Sequence, residues 1–167
     1  MRVMGIDPGS LCTGYGVVDA VKGNLQAVHW GSIRPPARKP FPDRLKYIYD
    51  GLTEVLREYA PDTVAIEDIF FAVNAKSTIK LGQARGVAIL AVMNAGKSLA
   101  EYSPLEVKQS TVGYGRADKR QVQDMVTALL KLKQKPEPLD VSDALAVAIC
   151  HAHSHKMTER LSEAFKR

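Results

Sequence analysis

The sequence predicts one α/β domain, a five-stranded mixed sheet flanked by helices on both faces. Three observations carry that prediction. Residues 2 to 33 hold three short apolar segments separated by glycine-bearing turns, which read as an antiparallel meander. From residue 42 the apolar spacing becomes helical, and two further short apolar runs each follow a helical stretch, as parallel strands joined by helices do. The chain has 167 residues, 46% of them hydrophobic, which is the size of one domain with a core on each side of such a sheet.

Strands are expected at about 2 to 7, 13 to 19 and 25 to 33. Leu45, Ile48, Tyr49, Leu52, Val55, Leu56 and Tyr59 then recur at helical spacing until Pro61 stops them. Residues 63 to 70 form a β-branched run too short for a helix, so they read as a buried strand parallel to the first. The helix expected over 75 to 95 is apolar around much of its circumference. One face suits the sheet and the other a second subunit, with Gly82 and Gly86 allowing close approach; simple burial is the alternative. Leu99 to Tyr102 reads as the fifth strand, and Ser103-Pro104-Leu105-Glu106 carries a cap, a first-turn proline and the third-position glutamate of a helix start. A basic loop, GYGRADKR, leads to an amphipathic helix from about Asp118, and the last helix begins near Asp140. The domain is expected to span residues 1–167, with the last stretch, about 12 residues, as a flexible tail.

The net charge of +5 and a pI near 9.2 point to a polyanionic partner, in particular where Lys and Arg cluster, as in the proline-rich loop IRPPARKPFP. Cys12 and Cys150 stand far apart in no metal-ligand spacing, which suits free thiols in a reducing compartment. No charged-then-apolar leader opens the sequence, and no apolar run nears the roughly 20 residues of a membrane span. A cytoplasmic protein is expected.

Four carboxylates stand at strand ends or helix starts: Asp7 in GIDPGS, Glu67 in TVAIED, and Asp140 and Asp143 in LDVSDAL. Taken singly, Asp7 is ordinary turn chemistry before Pro-Gly, and Asp140 an ordinary N-cap. Asp143 is different, because it enters a helix that continues ALAVAIC and needs a partner or a metal there. If the fold gathers all four, that much negative charge calls for hard divalent cations, Mg²⁺ or Mn²⁺. Two such ions about 4 Å apart activate a water and steady the leaving oxygen of a phosphodiester. In that scheme Asp7 bridges, Glu67 serves one ion, and Asp140 with Asp143 serves the other.

The stretches GIDPGSLCTGYGVV, AIEDIFFAVNAKSTIKLGQARGVAI, VKQSTVGYGRADKRQVQ and DVSDALAVAIC resemble the RuvC family of Holliday-junction resolvases, in order and over nearly the whole chain. The resemblance implies a ribonuclease H-like fold and a homodimer that cuts four-way DNA junctions in recombination and repair. It also implies two Mg²⁺ per subunit, with Mn²⁺ as a substitute, and the RuvA/RuvB branch-migration complex as partner. The family's catalytic and metal-binding acids fall on Asp7, Glu67, Asp140 and Asp143, and its functional lysines on Lys108 and Lys119. Phe70 matches its base-stacking phenylalanine, and the basic loop adds Arg116 and Arg120 as DNA contacts. Taken alone, each lysine is more often a solvated surface charge. Asp68 is expected to face away from the site by strand alternation, and His151, His153 and His155 to lie in a solvated tail. Rival readings are a YqgF-like nuclease, an actin- or sugar-kinase-like phosphotransferase, which needs a second lobe this length does not hold, and a DNA-binding module without catalysis.

Overall fold

In the computed structural model the described residues are 1–68 and 74–164, with side chains described as far as residue 157. Ten elements follow one another: β1 (Arg2–Asp7), β2 (Thr13–Val21), β3 (Asn24–Ile33), α1 (Phe41–Tyr59), β4 (Thr63–Glu67), α2 (Ala75–Asn94), β5 (Ser98–Tyr102), α3 (Pro104–Val112), α4 (Lys119–Leu129) and α5 (Leu139–Ala164). The sheet order is β3-β2-β1-β4-β5. The meander β1-β2-β3 is antiparallel, while β4 and β5 run parallel to β1, so the expected mixed sheet forms.

The local chemistry sets the boundaries. Lys22 and Gly23 both take positive φ between β2 and β3, the backbone of a two-residue hairpin turn, and so pair the strands further than the apolar pattern suggests. Helix α1 ends where Ala60 turns left-handed ahead of Pro61. Asn74 caps α2 by accepting from the Ser77 N–H, and both Ser103 and Asp118 form full capping boxes, each such cap contributing about 1 kcal/mol.

Strand alternation divides the core in two. Met4, Ile6, Val17, Val64 and Ile66 point to one face and pack on Ile48, Leu52 and Leu56 of α1 and on Ala84, Ala88 and Val92 of α2. Val3, Val18 and Ala65 point to the other, under α5 with α3 and α4 beside it. α5 is apolar on nearly every side because it lies at the centre of that second layer: Val141 and Ala144 through Ile149 are fully buried. Each fully buried Leu or Ile there contributes about 1.5 to 3 kcal/mol. The helix continues to Ala164, through the stretch where the sequence suggests a flexible tail. Among the described residues no helix is long and apolar enough to cross a membrane.

Candidate active site

The period of the strands decides which way the first two acids point. Asp7 shares a face with Val3, and Glu67 with Ala65, so both leave the sheet on the α5 side. Ile6 lies opposite Ile66 in the parallel ladder, and the two acids are the next residues of those adjacent strands. They therefore emerge together at the C-terminal ends of the central parallel pair, where open α/β sheets gather their ligands.

Helix α5 delivers the other two. Gly14, the ladder partner of Asp7, lies so close beneath the helix that a Cβ there would stand 2.0 Å from the Asp140 carbonyl oxygen. A Cβ on Gly5 would meet the Ala144 oxygen at the same 2.0 Å. These two absent side chains let the first turn of α5 settle onto β1 and β2 beside Asp7. Asp140 and Asp143, three apart on one helical face, then join the strand pair.

The electrostatics bear the mark of that gathering. Burial, then the charges of Glu67 and Asp143, pushes the Asp7 carboxyl well above its usual range. Burial and the Asp143 charge push Glu67 up to about 7. Asp143 is raised by burial too, against the pull of Lys119. The Lys119 ammonium sits 2.6 Å from Asp143 Oδ2. Burial would lower its pKa, but the bond to Asp143 and the charges of Asp143, Asp7 and Asp140 raise it above the ordinary lysine value. Half-buried Lys108 on α3 is felt by both Glu67 and Asp143.

Hard, all-oxygen donors that repel one another in a recessed site suit divalent Mg²⁺ or Mn²⁺, and two lysines do not balance four acids. In this side-chain arrangement no three acids, histidines or cysteines among the described residues close around one point tightly enough to hold an ion; Lys119 holds Asp143 instead.

Other expected residues fall in varied places. Arg116 and Arg120 are exposed at the α3–α4 connection. Phe70 lies outside the described residues. Asp68 turns from the acids to an ion pair with Arg85 at 3.3 Å, as alternation suggests. All three histidines lie on α5; His153 and His155 are exposed, as the expected solvated stretch requires, and His151 departs from it. His151 is half-buried, its ring nitrogens 2.9 Å from the Tyr102 hydroxyl and 3.3 Å from Thr63 Oγ1, and His153 reaches Ser110 Oγ at 3.2 Å.

Sequence reasoning missed the residues that hold the β1–β2 bend. Buried Thr13 accepts from the Gly9 N–H and donates to the Gly9 carbonyl, at 3.3 and 2.8 Å, and the Arg44 guanidinium donates to the Ser10 carbonyl. Cys12 lies between Arg34 and Asp140; burial raises its thiol pKa, Arg34 opposes that, and Asp140 adds to it. The basic proline-rich loop, which carries Arg34, was the available signal for one of them.

Residues 3–151 match the family model described as crossover junction endodeoxyribonuclease RuvC. A protein of that description from Pelobacter propionicus is 53% identical over 164 residues, covering 98% of this chain and 93% of its own. One from Alkaliphilus oremlandii is 50% identical over 159 residues, covering 95% and 97%. The structure of Thermus thermophilus RuvC in complex with a Holliday junction substrate superposes with a TM-score of 0.89 at 37% identity, covering 95% of this chain and 96% of that one. The yeast mitochondrial Holliday junction resolvase Ydc2 shares the fold, with a TM-score of 0.68 at 13% identity over 98% and 83% of the two chains. A ribonuclease H-like sheet with its acids at one end of the central strands, matched from end to end by these relatives, places the chain in the crossover junction endodeoxyribonuclease RuvC family.

Proposed function

We propose that the chain is an endonuclease that resolves four-way DNA junctions by paired, symmetric phosphodiester hydrolysis dependent on divalent metal. The observation that carries this reading is the meeting of Asp7, Glu67, Asp140 and Asp143, from three separate elements, at one end of the sheet. Those four side chains would hold two Mg²⁺, or Mn²⁺ in its place, and such ions would supply a lowered pKa for an attacking water and positive charge for the phosphate. Burial of the acids keeps the site recessed, and Lys119 and Lys108 set positive charge where a phosphate approaches. Arg116 and Arg120 meet the DNA backbone farther out. Phe70, three residues past Glu67, stacks on an unpaired base, a contact worth about 1 to 3 kcal/mol.

Paired cuts need two sites, and α2 offers the means. Ile79, Leu90 and Met93 are 62%, 53% and 57% exposed, and they form one stripe with Gly82 and Gly86, above which no atom lies within 4 Å. Ala84, Ala88, Ala91 and Val92 hold the opposite side of the helix against the core. An apolar stripe floored by glycine suits a second copy of α2, making a homodimer with one site per arm pair. The branch-migration proteins RuvA and RuvB are the partners that family membership supports, and the cytoplasm is the compartment.

The decisive experiment incubates the protein with a labelled four-way junction and a matched duplex, with Mg²⁺ or Mn²⁺. Symmetric nicks on the junction alone are expected. Asp7→Asn should bind the junction near wild-type strength and leave it uncut, and full cleavage by that variant would refute the metal assignment.

A further inference from the structure

Beside the first turn of α1 two positive charges meet that no ion pair among the described residues neutralises. Phe41 opens the helix, and two cations share its ring: the Arg44 guanidinium carbon is 5.8 Å from the centroid and Lys80 Nζ, from α2, is 5.5 Å from it. Some basic side chains of the surface are matched, Lys46 with Asp50, Lys135 with Asp124, and Arg85 with Asp68 and Glu101. Neither Arg44 nor Lys80 makes an ion pair among the described residues, although Asp43 stands in the same first turn. Arg44 spends one nitrogen on the Ser10 carbonyl, while its Nε is buried with no hydrogen-bond partner among the described residues. The helix start adds to this, because Pro40 supplies no side-chain cap to the N–H groups at the positive end of the dipole.

A ring quadrupole attracts each cation by about 0.5 to 1 kcal/mol at an exposed site but cancels neither charge. Two like charges brought to one ring, beside an uncapped helix end, attract an anion. We propose that Phe41, Arg44 and Lys80 form a subsite for one backbone phosphate of bound nucleic acid, next to the β1–β2 bend that follows Asp7. The subsite rests on the nuclease reading above and deepens it. Because Arg44 grips Ser10, a phosphate seated here is tied through a single side chain to the bend that carries the reacting end of β1.

The test is the salt dependence of DNA binding in Ca²⁺ without Mg²⁺, followed by fluorescence anisotropy on a four-way junction and on a matched duplex. Lys80→Ala is the main variant, since Lys80 holds no hydrogen bond among the described residues and its loss leaves the fold intact. Its slope of log affinity against log salt should be shallower than wild type by about 0.9, the loss of one phosphate contact. At a fixed 100 mM salt, roughly, the affinity should fall about two- to tenfold. Lys46→Ala, which removes a lysine already paired with Asp50, should leave the slope unchanged. Arg44→Lys keeps the charge but loses the fork, and should weaken binding with little change in slope. An unchanged slope in Lys80→Ala overturns the subsite. A Lys80-dependent slope equal on duplex and junction, with no preference for the junction, keeps the subsite and overturns the junction reading. A wild-type protein that binds neither DNA overturns both.

Discussion

Glu67→Gln should make the metal-free protein more stable at pH 8 and leave it unchanged near pH 4. Glu67 is lifted from 4.5 to about 7, first by burial and then by the Asp143 charge. A carboxyl whose folded pKa lies above its unfolded one binds more protons in the folded state between the two values. Its contribution is therefore full below about 4.5, is lost as pH rises toward 7, and stays lost above that. At 1.36 kcal/mol for each pKa unit the loss is about 3 kcal/mol, an upper figure because the side chain keeps some contact with water. The neutral glutamine has no such loss. For a chain of this size that is worth roughly 5 to 10 °C in melting temperature. The assay is thermal unfolding in EDTA from pH 4 to 8, repeated with Mg²⁺. Wild type should regain stability with Mg²⁺ at pH 8, because the ion binds only the folded carboxylates, and the variant should regain much less. A melting difference that does not change with pH would refute the claim that Glu67 is held against its own charge.

Further expectations concern the parts that build the site. Gly14→Ala forces a Cβ against the Asp140 carbonyl and should cost at least about 3 kcal/mol, read by urea unfolding, together with the Mg²⁺-induced rise in melting temperature. Lys119→Ala removes a cation that competes for Asp143, so Mn²⁺ binding at pH 8, followed by electron paramagnetic resonance, should tighten about fivefold while junction cleavage slows. Leu90→Asp puts a charge in the exposed α2 stripe and should yield a monomer by analytical ultracentrifugation, with binding and cleavage of junctions weakened.

What the sequence by itself determined was local. Alternation and turn residues marked β1 to β3, the 45-to-59 spacing marked α1, and the Ser103 and Asp118 capping signatures marked the starts of α3 and α4, because each depends only on residues a few positions apart. The four acids were legible for the same reason, as charges where apolar runs begin or end. Tertiary structure alone decided that they meet. That depends on the parallel register of β1 with β4 and on Gly5 and Gly14 lying under α5, contacts between residues far apart in the chain. It also took His151 from the expected tail into bonds with Tyr102 and Thr63, and set Arg44 and Lys80 on one ring. A short periodic pattern fixes which face of an element is apolar, but only packing fixes what that face, and any charge at its edge, comes to touch.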